Sequence, residues 1–216
     1  MLSGVMHNRL DEILHTRRSI RRYTSEMPPE HWIEAMAEAA TQAPSPSNTQ
    51  PVRILRIGST EKREVLHQAL MEGRQKFLDQ LETENGPKRI KNWINSYYRY
   101  SEFMVKAPLL FAFGVSEPAG GFSHKLQAAG LMSRDTRHCS DMDITVGLAL
   151  KGFILKATDL GLGSCILTAP LVFIKDIERL LGLNSLRIAC LVTAGFPDET
   201  PAGVPRKKVA DIYSEI

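Results

Sequence analysis

Hydrophobic positions change their period several times along this chain, and the changes mark out its elements. Leu10, Ile13 and Leu14 recur at helical spacing behind Asn8, a residue suited to cap a helix, so a short helix should run into Arg17. Pro28 and Pro29 introduce a second helix with an apolar stripe of Trp32, Ile33, Met36, Ala37 and Ala40, and Pro44 stops it. Val52, Ile54, Leu55 and Ile57, bounded by Pro51 and Gly58, have the alternation and β-branching of a strand. Thr60 is placed to cap a long helix to about Leu81, with Val65, Leu66, Ala69, Phe77 and Leu78 facing inward; Asn85-Gly86-Pro87 ends it. A further helix carries Ile90, Trp93, Ile94, Tyr97 and Tyr98.

Beyond Pro108 the run Leu109-Leu110-Phe111-Ala112-Phe113-Gly114-Val115 is continuous in apolar character, as a central strand requires. Residues 116 to 140 lose any clear period and read as an excursion, or lid, that orders over a site. Asp141 or Asp143 then opens a helix through Ile144, Val146, Leu148, Ala149, Leu150, Phe153, Ile154 and Ala157, apolar nearly all round and so expected to be buried. Gly161 suits its stop. Ser164 to Leu167 reads as a strand, Ile174 to Leu181 as a helix ending at Gly182, and Leu186 to Ala194 as another strand. The order is helix-rich α+β in a single domain spanning 1–216, without internal repeats.

Composition narrows the function classes. With 43% apolar residues the chain can bury a sizeable core, and a net charge of +3 is too slight to argue for nucleic acid. Cys139, Cys165 and Cys190 are odd in number and widely spaced, which indicates neither a disulfide framework nor a zinc ribbon. No stretch approaches the roughly 20 apolar residues that span a bilayer, and the first residues lack a secretory pattern. A cytoplasmic protein with a small anionic partner, and no membrane or nucleic-acid partner, is the expectation.

Two segments suggest what that partner is. Arg17, Arg18, Arg21 and Arg22 put four guanidiniums within six residues, and they repel one another unless solvent or an anion sits among them. Ser45, Ser47, Asn48 and Gln50 supply hydroxyls and amides on a loop that Pro44, Pro46 and Pro51 stiffen, which reduces the ordering entropy of binding. Taken singly, the first is equally a solvated basic face and the second an ordinary turn. Together they suit a phosphorylated, planar cofactor. Other motifs carry less. Gly161-Leu162-Gly163 follows a helix and lacks a third glycine, so it is no dinucleotide fingerprint. His138-Cys139 has no second pair to make a metal site, and there is neither a Walker loop nor a Gly-x-Ser-x-Gly elbow. Trp93, Tyr97, Tyr98, Tyr100 and Phe103 at mixed helical spacing suggest core or dimer packing.

Arg17 to Tyr23, Ala43 to Pro51, Leu160-Gly161-Leu162-Gly163-Ser164-Cys165, Gly195-Phe196-Pro197 and the basic Arg206-Lys207-Lys208 occur in an order that resembles the nitroreductase family of flavoproteins. The resemblance covers almost the whole chain. It implies an α+β sandwich with a central, mostly antiparallel sheet flanked by helices, and an intertwined homodimer with FMN at the interface. It also implies reduction by NADH or NADPH in a ping-pong cycle, with flavin-centred chemistry and no protein residue as the reacting group.

On that resemblance Arg17, Arg18, Ser19 and Arg21 would hold the phosphate and the pyrimidine edge of FMN. Ser45, Ser47, Asn48 and Gln50 would approach the flavin, partly from the partner subunit. Ile166, Leu167, Thr168 and Ala169 would lie along the ring near its N5 atom, and Arg206 with Lys207 or Lys208 would complete the phosphate clamp. Two departures stand out: Val52 follows the Gln-Pro pair where many relatives have an aromatic residue, and Pro46 removes a backbone donor. The acceptors implied are nitroaromatics, quinones or similar electrophiles. The same scaffold serves dehalogenation, flavin breakdown and other dehydrogenations, and a non-catalytic basic binding module is the alternative of another class.

Overall fold

Strand β2 (Leu109–Ser116) organises the molecule, because its alternate side chains enter two different cores. Leu109, Phe111 and Phe113 face one layer, Leu110 and Ala112 the other. In this computed structural model, which describes residues 8–116, 125–126, 128–131 and 140–215, β2 pairs with β1 (Val52–Arg56) on one side and β4 (Leu186–Gly195) on the other. The sheet order is β1-β2-β4-β3, with β3 at Gly163–Leu167, and every pairing is antiparallel. Between Phe113 and Gly114 the register slips: Phe113 faces Cys190 but Gly114 faces Ile188, leaving Ala189 as a bulge. That extra residue inverts the alternation, so Ile188 joins the second core and Cys190 the first.

The first core lies under α2 (Glu30–Thr41) and α5 (Ser140–Asp159). Phe153 is its centre, fully buried, with its ring edge-on to Phe111 and Phe113 at centroid distances of 5.2 and 5.0 Å. The second core lies under α3 (Thr60–Thr83), α4 (Lys88–Glu102) and the short helices α6 (Pro170–Phe173) and α7 (Ile177–Leu181). Helix α1 (Arg9–Thr16) packs on α5, where Arg9 donates to the Asp159 carboxylate at 3.0 Å and to its carbonyl at 3.1 Å.

Four expectations change. The helix expected to be buried all round, α5, leaves Ile144, Leu148 and Lys151 exposed on one face of the single subunit. Val65 is exposed, while Leu66 and Leu70 carry the α3 contact. Ser59, not Thr60, caps α3 by accepting from the Lys62 amide. The helix expected from Ile174 to Leu181 is two pieces, because Asp176 adopts a left-handed backbone (φ 52°) and Pro170 starts a turn of its own. Nearly all of the 116–140 excursion, and His138-Cys139, lie outside the described residues.

Candidate functional site

Asn8 caps α1 reciprocally with Asp11, and at Arg17 the backbone leaves the helix for an extended path. The Arg18 guanidinium closes the helix end by donating to the carbonyls of His15 (2.6 Å) and Arg17 (2.9 Å). The next residues run along the free edge of β3: Ser19 bridges Ser164 in parallel, and the Ile20 amide donates to the Ser164 carbonyl at 3.0 Å. Gly163 permits this approach, since a Cβ there would stand 2.6 Å from the Ile20 side chain. Tyr23 pins the far end, its hydroxyl donating to the Ile20 carbonyl and meeting the buried Thr193 hydroxyl at 2.8 Å. Burial pushes the Tyr23 phenol well above the usual tyrosine range.

The end of the chain closes on the same segment. Beyond β4, Tyr23 bridges Pro197, the Thr24 amide donates to the Phe196 carbonyl, and the Glu199 carboxylate accepts from the amides of Arg21 and Arg22. Gly203 lies against the Arg18 guanidinium. Arg17 is held below the usual arginine range by partial burial first, then by the positive charges of Arg206 and Arg18. Among the described residues no carboxylate forms an ion pair with Arg17, Arg21 or Arg206. Half-buried like charges with no counter-ion form a ready anion site. Lys207 and Lys208 lie exposed further along the tail.

Beside this cluster β3 offers a flat apolar surface. Ile166 is 40% exposed between buried Cys165 and Leu167, followed by exposed Thr168 and half-buried Ala169. Leu167 turns its side chain into the second core, so only its backbone is available to a ligand. Burial raises the Cys165 thiol.

The Ser45–Gln50 loop sits elsewhere. It leads into β1, at the edge of the sheet opposite to β3, about 14 Å away across three strand spacings. Ser47, Asn48 and Gln50 all take left-handed backbones (φ 52°, 54° and 45°), a cluster of strain typical of binding loops. Ser45 Oγ accepts from the Gln50 amide at 2.9 Å, and Gln50 Nε2 donates to Asn48 Oδ1 at 3.0 Å. Thr49 Oγ1 is buried without a hydrogen-bond partner. Ser45, Gln50 and Val52 also border a small cavity with Thr145 of α5.

Thus Arg17, Arg18, Ser19, Arg21 and Arg206 come together with the 166–169 segment, while Ser45, Ser47, Asn48 and Gln50 do not join them within one subunit. Sequence reasoning missed Glu199, which orders the arginine segment, and Thr49, the loop's spare hydroxyl. It also took Tyr100 for packing, but that ring is exposed under the Arg21 guanidinium, 5.3 Å from its centre.

The Nitroreductase family model matches residues 14–196, from the end of α1 through β4 to Phe196. The chain belongs to this family. At full length it is 25% identical to an iodotyrosine deiodinase of Thermotoga neapolitana, over 95% of this chain and 97% of that one. It is also 25% identical to a Bacillus subtilis protein that carries the name NAD(P)H nitroreductase, over 97% and 95% of the two chains. The nitroreductase fold is shared with a BluB-like flavoprotein of Clostridium difficile, at a TM-score of 0.78, 21% identity and coverage of 97% and 100%. It is shared too with an iodotyrosine deiodinase bound to FMN and 3-iodo-L-tyrosine, at 0.68, 22%, 96% and 100%. This nitroreductase-family chain has no helix, among its described residues, long and apolar enough to cross a membrane, and no group of side chains there that could hold a metal.

Proposed function

We propose that the protein is an FMN-dependent oxidoreductase that takes electron pairs from NADH or NADPH and passes them, in a ping-pong cycle, to nitroaromatic, quinone or related electrophilic acceptors. The observation that carries this reading is the meeting of Arg17 and Arg206 from the two ends of the chain without a carboxylate between them. A phosphate monoester fits that donor set.

Bound FMN would supply the hydride chemistry, and the chain's residues bind and orient. Arg17, Arg18 and Arg206 hold the phosphate, with Ser19 beside them. Arg21 places positive charge at the pyrimidine edge, which stabilises the negative charge that reduction puts there. Ile166 excludes water from one face of the ring. The Ser45, Ser47, Asn48 and Gln50 groups belong to the site of a second copy, because the sheet separates them from Arg17 in their own subunit. Exposed Leu10, Leu14, Ile144 and Leu148 on α1 and α5, with Val204, Val209, Ile212 and Tyr213 on the tail, supply the apolar surface that such a homodimer would cover.

A second reading, reductive dehalogenation on the same scaffold, is favoured by the full-length likeness to an iodotyrosine deiodinase. The purified protein should show flavin absorbance, bleach anaerobically with NADH or NADPH, and recolour with its acceptor. Nitroaromatics and halotyrosines, offered in parallel, separate the two readings. A colourless protein that binds no added FMN would refute both.

A further inference from the structure

Three large aromatic side chains of α4, Trp93, Tyr97 and Tyr100, are 56, 58 and 56% exposed, and their i, i+4, i+7 spacing puts them on one face. Each end of the stripe carries a cation on a ring: Arg89 lies 5.9 Å from the centre of Trp93, and Arg21 lies 5.3 Å from that of Tyr100. The stripe therefore begins in the arginine segment of the site above and runs outward along the helix.

Charge marks its outer end. Lys88, Arg89 and Lys91 open α4 and its first turn holds no acidic residue, although a helix N-terminus is itself partially positive and favours anions. Among the described residues none of these three, nor Arg99, forms an ion pair. An adjoining groove of about 450 Å³ is lined by Arg74, Asn92, Asn95, Ser96, Tyr98 and Arg99, again without a carboxylate. From Arg89 to Tyr100 the helix rises roughly 16 Å. A single-ring acceptor is too short to touch both ends, whereas a dinucleotide, with stacking bases and phosphates along its length, spans them.

We infer that this face of α4 docks the adenosine half of NADPH. Trp93 and Tyr97 stack against adenine, Arg99 faces the pyrophosphate, and Lys88, Arg89 and Lys91 read the 2′-phosphate that distinguishes NADPH from NADH. The inference rests on the flavin reading, since the nicotinamide end must reach the ring beside Arg21.

The test uses flavin-loaded protein and its reduction by each nucleotide. Wild type should prefer NADPH, and adenosine 2′,5′-bisphosphate should compete with it. The Arg89→Ala/Lys91→Ala variant should lose about tenfold or more in kcat/KM for NADPH, with NADH within about twofold. Trp93→Ala should lower both nucleotides by about tenfold. Flavin content per subunit and the acceptor KM should stay constant in every variant. Equal use of both nucleotides by wild type, a change confined to the acceptor KM, or loss of dimer on Trp93→Ala would overturn the inference. Should wild type bind no flavin, calorimetry with adenosine 2′,5′-bisphosphate alone judges α4 separately: binding that Arg89→Ala/Lys91→Ala abolishes upholds the helix face, and no binding overturns it.

Discussion

Arg17 and Arg206, from opposite ends of the chain, lie close enough that the positive charge of Arg206 helps to hold Arg17 below the usual arginine range. Two cations are brought together only if the rest of the fold outweighs their repulsion. The Asn8 cap, the β3 edge and the Glu199 carboxylate supply that constraint.

Inorganic phosphate should therefore raise the melting temperature of FMN-free protein beyond what chloride does at equal ionic strength, because an anion that binds only the folded state stabilises it by mass action. Arg206→Ala should remove most of that rise. Thermal melts across a phosphate series make the comparison, and an unchanged response in the variant would place the anion elsewhere.

Two glycine substitutions should separate stability from cofactor binding. A Cβ at Gly163 would stand 2.6 Å from Ile20, so Gly163→Ala pushes the arginine segment off β3 and should weaken FMN binding although it touches no proposed phosphate contact. A Cβ at Gly152 would stand 2.6 Å from the Ala39 carbonyl between α2 and α5. Gly152→Ala should cost about 1–3 kcal/mol of stability and leave the FMN affinity of the folded fraction unchanged. Urea unfolding and fluorescence titration with FMN measure the two effects.

The loop strain predicts a trade-off. Ser47 holds φ 52°, a conformation glycine adopts without penalty, so Ser47→Gly should keep or raise the melting temperature while turnover with NADH or NADPH falls. Equal turnover with a lower melting temperature would contradict a binding role for this loop.

Cys190 gives a pH dependence with a definite sign. Burial pushes its thiol up to about 12 from a reference of 9.0. Above about pH 9 the unfolded chain releases this proton and the native state keeps it, so stability falls as pH rises towards 12, by at most about 1.4 kcal/mol per pH unit. Cys190→Ala should flatten that part of the profile, measured by urea unfolding at pH 8 and pH 10.5. An identical slope in the variant would mean that another group carries it.

Much of this was legible in the chain. The β2 run, the Leu66 side of α3 and the Gly161 stop are local patterns, and local physics decides them. Asp176 was not legible, because an aspartate gives little sign of a left-handed backbone before its neighbours are packed. The exposed face of α5 was hidden for another reason: an apolar helix surface looks the same in sequence whether its own subunit or a second one covers it. Within the site, the arginines and the Ser-Asn-Gln loop stood out by composition. Their placement on opposite edges of the sheet depends on the strand order β1-β2-β4-β3, which pairs residues far apart in the chain. Glu199 and Thr49 gave no signal, since each acts through a backbone path that only the fold creates.

The claim that Arg17 and Arg206 grip one phosphate is tested most directly by the ratio of riboflavin to FMN dissociation constants, because the two ligands differ only in that group. Wild type should bind FMN at least about a hundredfold more tightly than riboflavin, and Arg17→Ala/Arg206→Ala should bring the two close to equal through loss of FMN affinity alone. A double variant that kept the wild-type ratio would contradict the account.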